Sequence, residues 1–190
     1  VLIEFAALLA LVLAALAVIQ ATLLKPFRVP SASMMPTLLV GQRVLVNRFI
    51  YDIQAPGRGD IVVFHPPSPA RCATTPAVLT SCAESFAATS GRYYVKRILG
   101  LPGDRIAIRD GHPVIDGHEL THEPYTISCP QRITICELPR PITVPPGHYF
   151  VIGDNRPDSL DSREFGPIPA SAIIGQVFFT YWPPDRIGTS

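Results

Sequence analysis

The stretch "YYVKRILGLPGD", Tyr93 to Asp104, decides how the chain is read. Its first eight residues are aromatic, β-branched or apolar apart from Lys96 and Arg97, and a Pro-Gly turn closes them, which is the pattern of a strand. Alternation along a strand sends Tyr94, Lys96 and Ile98 to one face and Val95, Arg97 and Leu99 to the other. A lysine between an aromatic ring and an isoleucine is a candidate for burial, and burial lowers the pKa of an ammonium. The ordinary alternative is an edge-strand lysine with its stem on apolar surface and its head in water. Lysine is scarce here: of sixteen Lys and Arg residues, only Lys25 and Lys96 are lysine. Arginine suits most exposed positions, so a lysine inside a strand points to a task that arginine, which does not deprotonate in proteins, cannot perform.

The same short-strand pattern recurs on both sides of this stretch. "RVLVNRF" (43–49), "DIVVF" (60–64), "DRIAIRDG" (104–111), "HYFVIGD" (148–154) and "IIGQVFFTYW" (173–182) are separated by turn residues, among 21 prolines and 13 glycines. The expectation is a mainly β, antiparallel domain. "RIAIRDGHPVIDG" predicts a hairpin turning at Asp110 and Gly111. Residues 65 to 92, rich in Pro, Ala, Ser and Thr, read as an exposed excursion.

The N-terminal 24 residues differ in kind. Between Val1 and Leu24 only Glu4, Gln20 and Thr22 are polar. As a helix this segment spans roughly 36 Å, enough for a ~30 Å hydrocarbon layer, and it predicts a single transmembrane anchor over 1–24. A cleaved signal peptide is the rival, but its apolar region is usually about 7–15 residues and a small-x-small site is missing. Residues 25–190 suffice for one domain with its own core. A formal net charge of +1 argues against a nucleic-acid partner.

Four cysteines fall in two close pairs, and neither pair has the C-x2-4-C spacing of zinc or the C-x-x-C spacing of redox sites. Two local disulfides, Cys72–Cys82 and Cys129–Cys136, are expected, which places the domain on an oxidising side of the membrane. Free buried cysteines are the alternative.

Two loops carry further polar chemistry. "VPSASMMPTL", Val29 to Leu38, holds Ser31, Ser33 and both methionines between Pro30 and Pro36. Two prolines argue against a helix or a central strand and for a rigid loop. "GDNRPDSLDSREFGPIP" (153–169) follows an apolar strand and is either a solvated charged loop or the support of a site.

Taken in order, "PSASMMPTL", "RGDIVVF" (58–64), "YVKRILGLPGD" (94–104) and "GDNRPDSLDSREFG" (153–166) resemble the sequence boxes of bacterial type I signal peptidase. The resemblance runs from the apolar segment to "YWPPDRIG". Ala32, where glycine is frequent, and Pro157, which interrupts the last box, depart from the pattern without removing a reacting group.

The resemblance implies a β-rich catalytic domain over 25–104 and 150–190, with a smaller β subdomain inserted at 105–149. It implies a serine endopeptidase that needs no cofactor and removes signal peptides after Ala-x-Ala-like sites. Ser33 matches the nucleophile and Lys96 the general base. The Ser31 hydroxyl and the Ser33 amide match the oxyanion hole. Ser159 matches the serine that orients the lysine, and Asp154 with Arg97 and Asp161 with Arg163 match supporting ion pairs. Phe27, Val29, Met34, Leu38, Tyr94 and Val95 match positions lining the substrate cleft. The implied location is the bacterial cell membrane, single-pass, with the catalytic domain outside the cytoplasm. The implied partners are secretory preproteins and membrane lipid, with the export machinery nearby.

One motif competes. "HELTH", His118 to His122, fits the H-E-x-x-H zinc pattern, which requires both histidines on one helix face. It starts at a "DG" turn and runs into Pro124, so no helix and no metal site are expected. The self-cleaving repressors of the DNA damage response share a related Ser–Lys core, but an anchor and paired cysteines do not suit them. A non-enzymatic, anchored β domain that binds cell-surface partners would leave Ser33 and Lys96 incidental.

Overall fold

The computed structural model describes residues 2–66, 93–109, 111–120, 123–129 and 136–189. The chain opens with helix α1 (Leu2–Thr22), 21 residues long. Its residues 3–14 are exposed, and the side chains of 15–22 lie outside the described set. Among the described residues no helix is long and apolar enough to cross a membrane.

Beyond α1 the chain is β-rich, and every strand pairing within it is antiparallel. The larger sheet contains β1 (Leu24–Arg28), β2 (Arg43–Asn47), β3 (Ile61–Phe64), β4 (Tyr94–Gly100), β9 (His148–Ile152), β10 (Ile168–Pro169) and β11 (Ile173–Trp182). Its order is β1-β2-β11-β3-β4-β9-β10, with β12 (Gly188–Thr189) on β11. A second sheet contains β5 (Arg105–Arg109), β6 (His112–Ile115), β7 (His118–Glu119) and β8 (Leu138–Thr143), in the order β7-β6-β5-β8. These strands fall inside the 105–149 segment, while β9 joins the larger sheet from His148 onward.

The register at the centre of the larger sheet explains how a lysine comes to be buried. β3 meets β4 with Ile61 opposite Arg97, Val62 opposite Lys96, Val63 opposite Val95 and Phe64 opposite Tyr94. Opposed residues share a face. Val62, Phe64 and Ile98 therefore pack in one apolar cluster, with Tyr94 against it, and Ile61, Val63 and Val95 in another. All four β3 residues are buried, because both faces of the sheet are covered. Lys96 lies on the face of Val62 and is 3% exposed. A third cluster, from Leu99 through Ile106 and Ile108 to Phe150, joins the two sheets.

Several expectations meet a more specific outcome. The 29–38 loop contains a single 3-10 turn, Ala32–Met34, closed by Met35 N–H on the Ala32 carbonyl at 3.0 Å. It fits between the prolines because Pro30 precedes it and Pro36 follows it. Arg109 pairs with His112, which leaves positions 110 and 111 as the hairpin turn; Gly111 has φ +79°, which favours glycine. Asp110 lies outside the described residues. His118 and Glu119 of the "HELTH" motif are exposed on strand β7, not on a helix, while Thr121 and His122 lie outside the described residues. Cys129 and Cys136 are joined as a disulfide, with Cα atoms 6.2 Å apart. Cys72 and Cys82 lie outside the described residues.

Candidate active site

Ser33 sits in the 3-10 turn and Lys96 at the middle of β4, and tertiary folding puts Lys96 Nζ in hydrogen-bond contact with Ser33 Oγ. Both are buried, Ser33 to 6% exposure. The Lys96 ammonium also lies 5.6 Å from the centroid of the Tyr94 ring. Burial is the main influence on Lys96 and pushes its pKa down; the charge of Asp161 pulls it up, Arg163 pushes it down, and Asp154 and Asp158 pull it up. The result is about 8 instead of 10.5. At pH 7 roughly one lysine in ten is then neutral, against about one in 2,500 for an unperturbed side chain. Ser31 Oγ lies 3.3 Å from Ser33 Oγ.

The 153–163 loop backs this pair. Gly153 N–H donates to Asp161 Oδ2 at 3.0 Å, and the Ser159 hydroxyl donates to the same oxygen at 2.6 Å. Arg163 completes the arrangement, with Nε 2.8 Å from Asp161 Oδ1 and a terminal nitrogen 2.8 Å from Oδ2. Ser159 therefore stands against Asp161, while the hydrogen bond of Lys96 Nζ runs to Ser33. Gly153 packs where a Cβ would lie 2.2 Å from Ser159 Oγ and 2.5 Å from the Ser33 carbonyl oxygen. Only glycine lets the two loops approach so closely.

On the opposite face of β4, Arg97 forms a two-pronged pair with Asp154, at 2.9 and 2.7 Å. Burial alone would lower the Arg97 pKa, but the hydrogen bond and charge of Asp154 outweigh it and hold the guanidinium charged. The Thr37 hydroxyl donates to Asp154 Oδ2 at 2.5 Å, and the Tyr125 ring centroid lies 4.1 Å from the Arg97 guanidinium carbon. Asn155 then reaches across: its N–H donates to the Ser33 carbonyl at 3.0 Å and its side-chain amide to the Ala32 carbonyl at 3.2 Å. Arg156 pairs with Glu123 at 2.5 Å. Thr37 and Tyr125 were not singled out from the sequence, while Gly153 and Asn155 were read only as part of the polar arrangement that follows a strand end. For Gly153 the available signal was a glycine directly before the acidic cluster.

A cleft of about 480 Å³ opens over Ser33 and Lys96. Of the residues expected to line it, Val29, Met34, Tyr94 and Val95 do. Phe27 and Leu38 instead lie beneath it, in the cluster with Val44 and Val46. Pairing of β1 with β2 sets Phe27 opposite Val44, which turns its side chain into the core. Tyr93 takes the place at the wall: its ring meets Phe27 edge-on at 4.7 Å and its hydroxyl donates to the Arg28 carbonyl at 2.9 Å. Among the described residues no group of His, Cys, Asp and Glu is arranged to hold a metal ion.

The chain is similar to known proteins over most of its length. Residues 2–182 match the family model described as signal peptidase, peptidase S26. The chain is 38% identical to signal peptidase I of Bacillus caldolyticus over 164 residues, covering 82% of this chain and 78% of that protein. It is 34% identical to signal peptidase I of Leptolyngbya laminosa over 160 residues, covering 84% and 70%. It is 32% identical to the chloroplastic thylakoidal processing peptidase 1 of Arabidopsis thaliana over 172 residues, covering 88% and 45%. A crystal structure of a signal peptidase I from Enterococcus faecalis superposes with a TM-score of 0.40 at 31% identity, covering 66% of this chain and 98% of that one. With a matching model over nearly its whole length and relatives above 30% identity, the chain belongs to the signal peptidase family, peptidase S26, and is a hydrolase.

Proposed function

We propose that this peptidase is a membrane-anchored serine endopeptidase that removes signal peptides from exported preproteins, with Ser33 as nucleophile and Lys96 as general base. The observation that carries the reading is the buried contact of Lys96 Nζ with Ser33 Oγ at the floor of an open cleft. A serine hydroxyl attacks poorly until a neighbouring base takes its proton, and a lysine can serve when it is neutral.

Neutral Lys96 accepts the Ser33 hydroxyl proton as Oγ attacks the carbonyl carbon before the cut. The negative oxygen that develops is met by the Ser33 amide and the Ser31 hydroxyl, donors of a kind worth about 3–4 kcal/mol on the transition state. The protonated lysine returns the proton to the departing amine, leaving an acyl ester on Ser33. Lys96, again neutral, then takes a proton from water as the water oxygen attacks the ester carbonyl, and returns that proton to the departing Ser33 oxygen, which restores the hydroxyl and the neutral lysine. Asp161 with Arg163, and Asp154 with Arg97, hold the loops that carry these groups. Ser159, held by Asp161 beside Gly153, would help to position the lysine through the loop it belongs to.

Bulky apolar side chains, Val29, Met34, Tyr94 and Val95, form one wall of the cleft, and such a wall would favour small residues before the cut, as in Ala-x-Ala-like sites. The anchor rests on the apolar run of residues 1–24, and it would hold the cleft where a preprotein's own apolar segment presents its cleavage site. In this reading the catalytic domain lies at the outer face of a bacterial cell membrane. The test is cleavage of a purified preprotein by wild type and by Ser33→Ala. Wild type releases the mature protein and the variant does not; equal cleavage by both removes the assignment.

A further inference from the structure

The cleft has a lip beside the dyad, and the side chains of this lip form no hydrogen bond with Ser33 or Lys96 among the described residues. After the 3-10 turn Arg156–Asp158 the chain becomes extended at Ser159, with φ −142° and ψ 117°. Alternation then sends Ser159 and Asp161 inward, where both are buried, and leaves Asp158 and Leu160 on the other side, exposed. Both outward residues line the cleft beside Ser33 and Lys96. Leu160 is 46% exposed, a leucine among polar neighbours. Asp158 is the one carboxylate among the cleft's lining residues, and among the described residues its side chain has no hydrogen bond or ion pair.

Residues two apart in an extended chain stand about 6.6–6.8 Å apart. That is close to the length of a lysine or arginine side chain, whose alkyl stem prefers apolar surface while its head seeks polar contact. Leu160 offers the stem a surface and Asp158 offers the head a partner.

We propose that Asp158 and Leu160 form a specificity lip that selects substrates carrying a lysine or arginine next to the scissile bond, and discriminates against an acidic residue there. This rests on the endopeptidase reading above and refines its substrate class to preproteins with a basic residue beside the small-x-small site. The side chains that pack into the wall of Met34 and Tyr94 stay small; the one that faces the lip is long and basic. Because Asp158 is exposed, its effect is modest, about two- to fivefold for one favourable pair at ordinary salt.

The test is a set of preproteins sharing one Ala-x-Ala site, each with Lys, norleucine or Glu at a single position, either the x of that site or one of the three positions after the cut. For wild type, one position will show kcat/KM in the order Lys, norleucine, Glu. Asp158→Asn will bring Lys and Glu together at that position, Asp158→Lys will reverse them, and Leu160→Ser will reduce Lys and norleucine alike. Reading the ratio between substrates matters because a change at Lys96 would affect all of them equally. If wild type cleaves none of the set, the endopeptidase reading falls and the lip with it. If it cleaves them but the Lys to Glu ratio is the same in wild type and Asp158→Lys at every position, the lip is overturned and the endopeptidase reading stands.

Discussion

Lys96 Nζ donates to Ser33 Oγ across 63 residues of sequence, and both side chains are buried. On the mechanism proposed above, the residue at this position must give up its proton. Lys96→Arg keeps the charge and loses the base, so it should be as inactive as Ser33→Ala. Retention of more than about a tenth of wild-type kcat/KM, an effect of only ~1.4 kcal/mol, would exclude Lys96 as the base.

The pH dependence follows from the same residue. With Lys96 as the proposed general base, activity would need it neutral, and kcat/KM should climb as pH rises through about 8. Stability moves in the same direction over a stated window. The folded-state value lies below the unfolded one, so between pH 8 and 10.5 the unfolded chain binds more protons and stability rises with pH. Below about pH 8 the cost of burying the ammonium is present in full, on the order of 3 kcal/mol. Lys96→Met should therefore be inactive yet more stable than wild type at pH 7, with the difference shrinking toward pH 10.5. Chemical denaturation at both pH values measures it, and a gain that grows with pH would contradict the sign.

Gly153→Ala tests the closeness of the two loops. The new methyl would collide with Ser159 Oγ and the Ser33 carbonyl, at 2.2 and 2.5 Å. Overpacking of this kind costs ~1–3 kcal/mol. A shift of Ser33 by about 1 Å costs on the order of a hundredfold in rate. Activity should fall far more than stability; a fully active variant would show that the loops separate without consequence.

Asp154→Asn leaves Arg97 without its counter-charge in a largely buried position. Breaking such a pair typically costs ~3–5 kcal/mol. Urea unfolding should show a loss of that order, while Arg58→Ala, which breaks a more exposed pair with Asp104, should cost about 1 kcal/mol or less.

EDTA should leave cleavage intact, and His118→Ala should be tolerated, since His118 is exposed on a strand. Chelator-sensitive activity restored by zinc would revive the metalloprotease alternative. Peptide mapping without reduction should recover Cys129 linked to Cys136, and Cys72 linked to Cys82.

Much of the molecule was legible in the chain itself. The run "YYVKRILG" showed a strand and sorted its residues onto two faces, because side-chain alternation is a local property of an extended backbone. The lone strand lysine was a local clue, and the resemblance carried by four ordered boxes named Ser33 and Lys96 as the candidate dyad. Other features depended on which segments cover one another. "IVVF" has no alternation to read, and only the packing on both faces of β3 shows why. Phe27 and Leu38 match cleft positions, yet pairing of β1 with β2 turns Phe27 into the core and brings Tyr93 to the wall. Asn155 and Thr37 gain their roles from contacts across 88 or more residues, and Tyr125 from lying against Arg97 of the larger sheet, which no spacing encodes. The sequence by itself determined which residues could do the chemistry and which segments would be strands. Register and loop approach, set by burial on two faces at once, decided that a lysine and a serine 63 positions apart would meet in a place dry enough to lower one pKa.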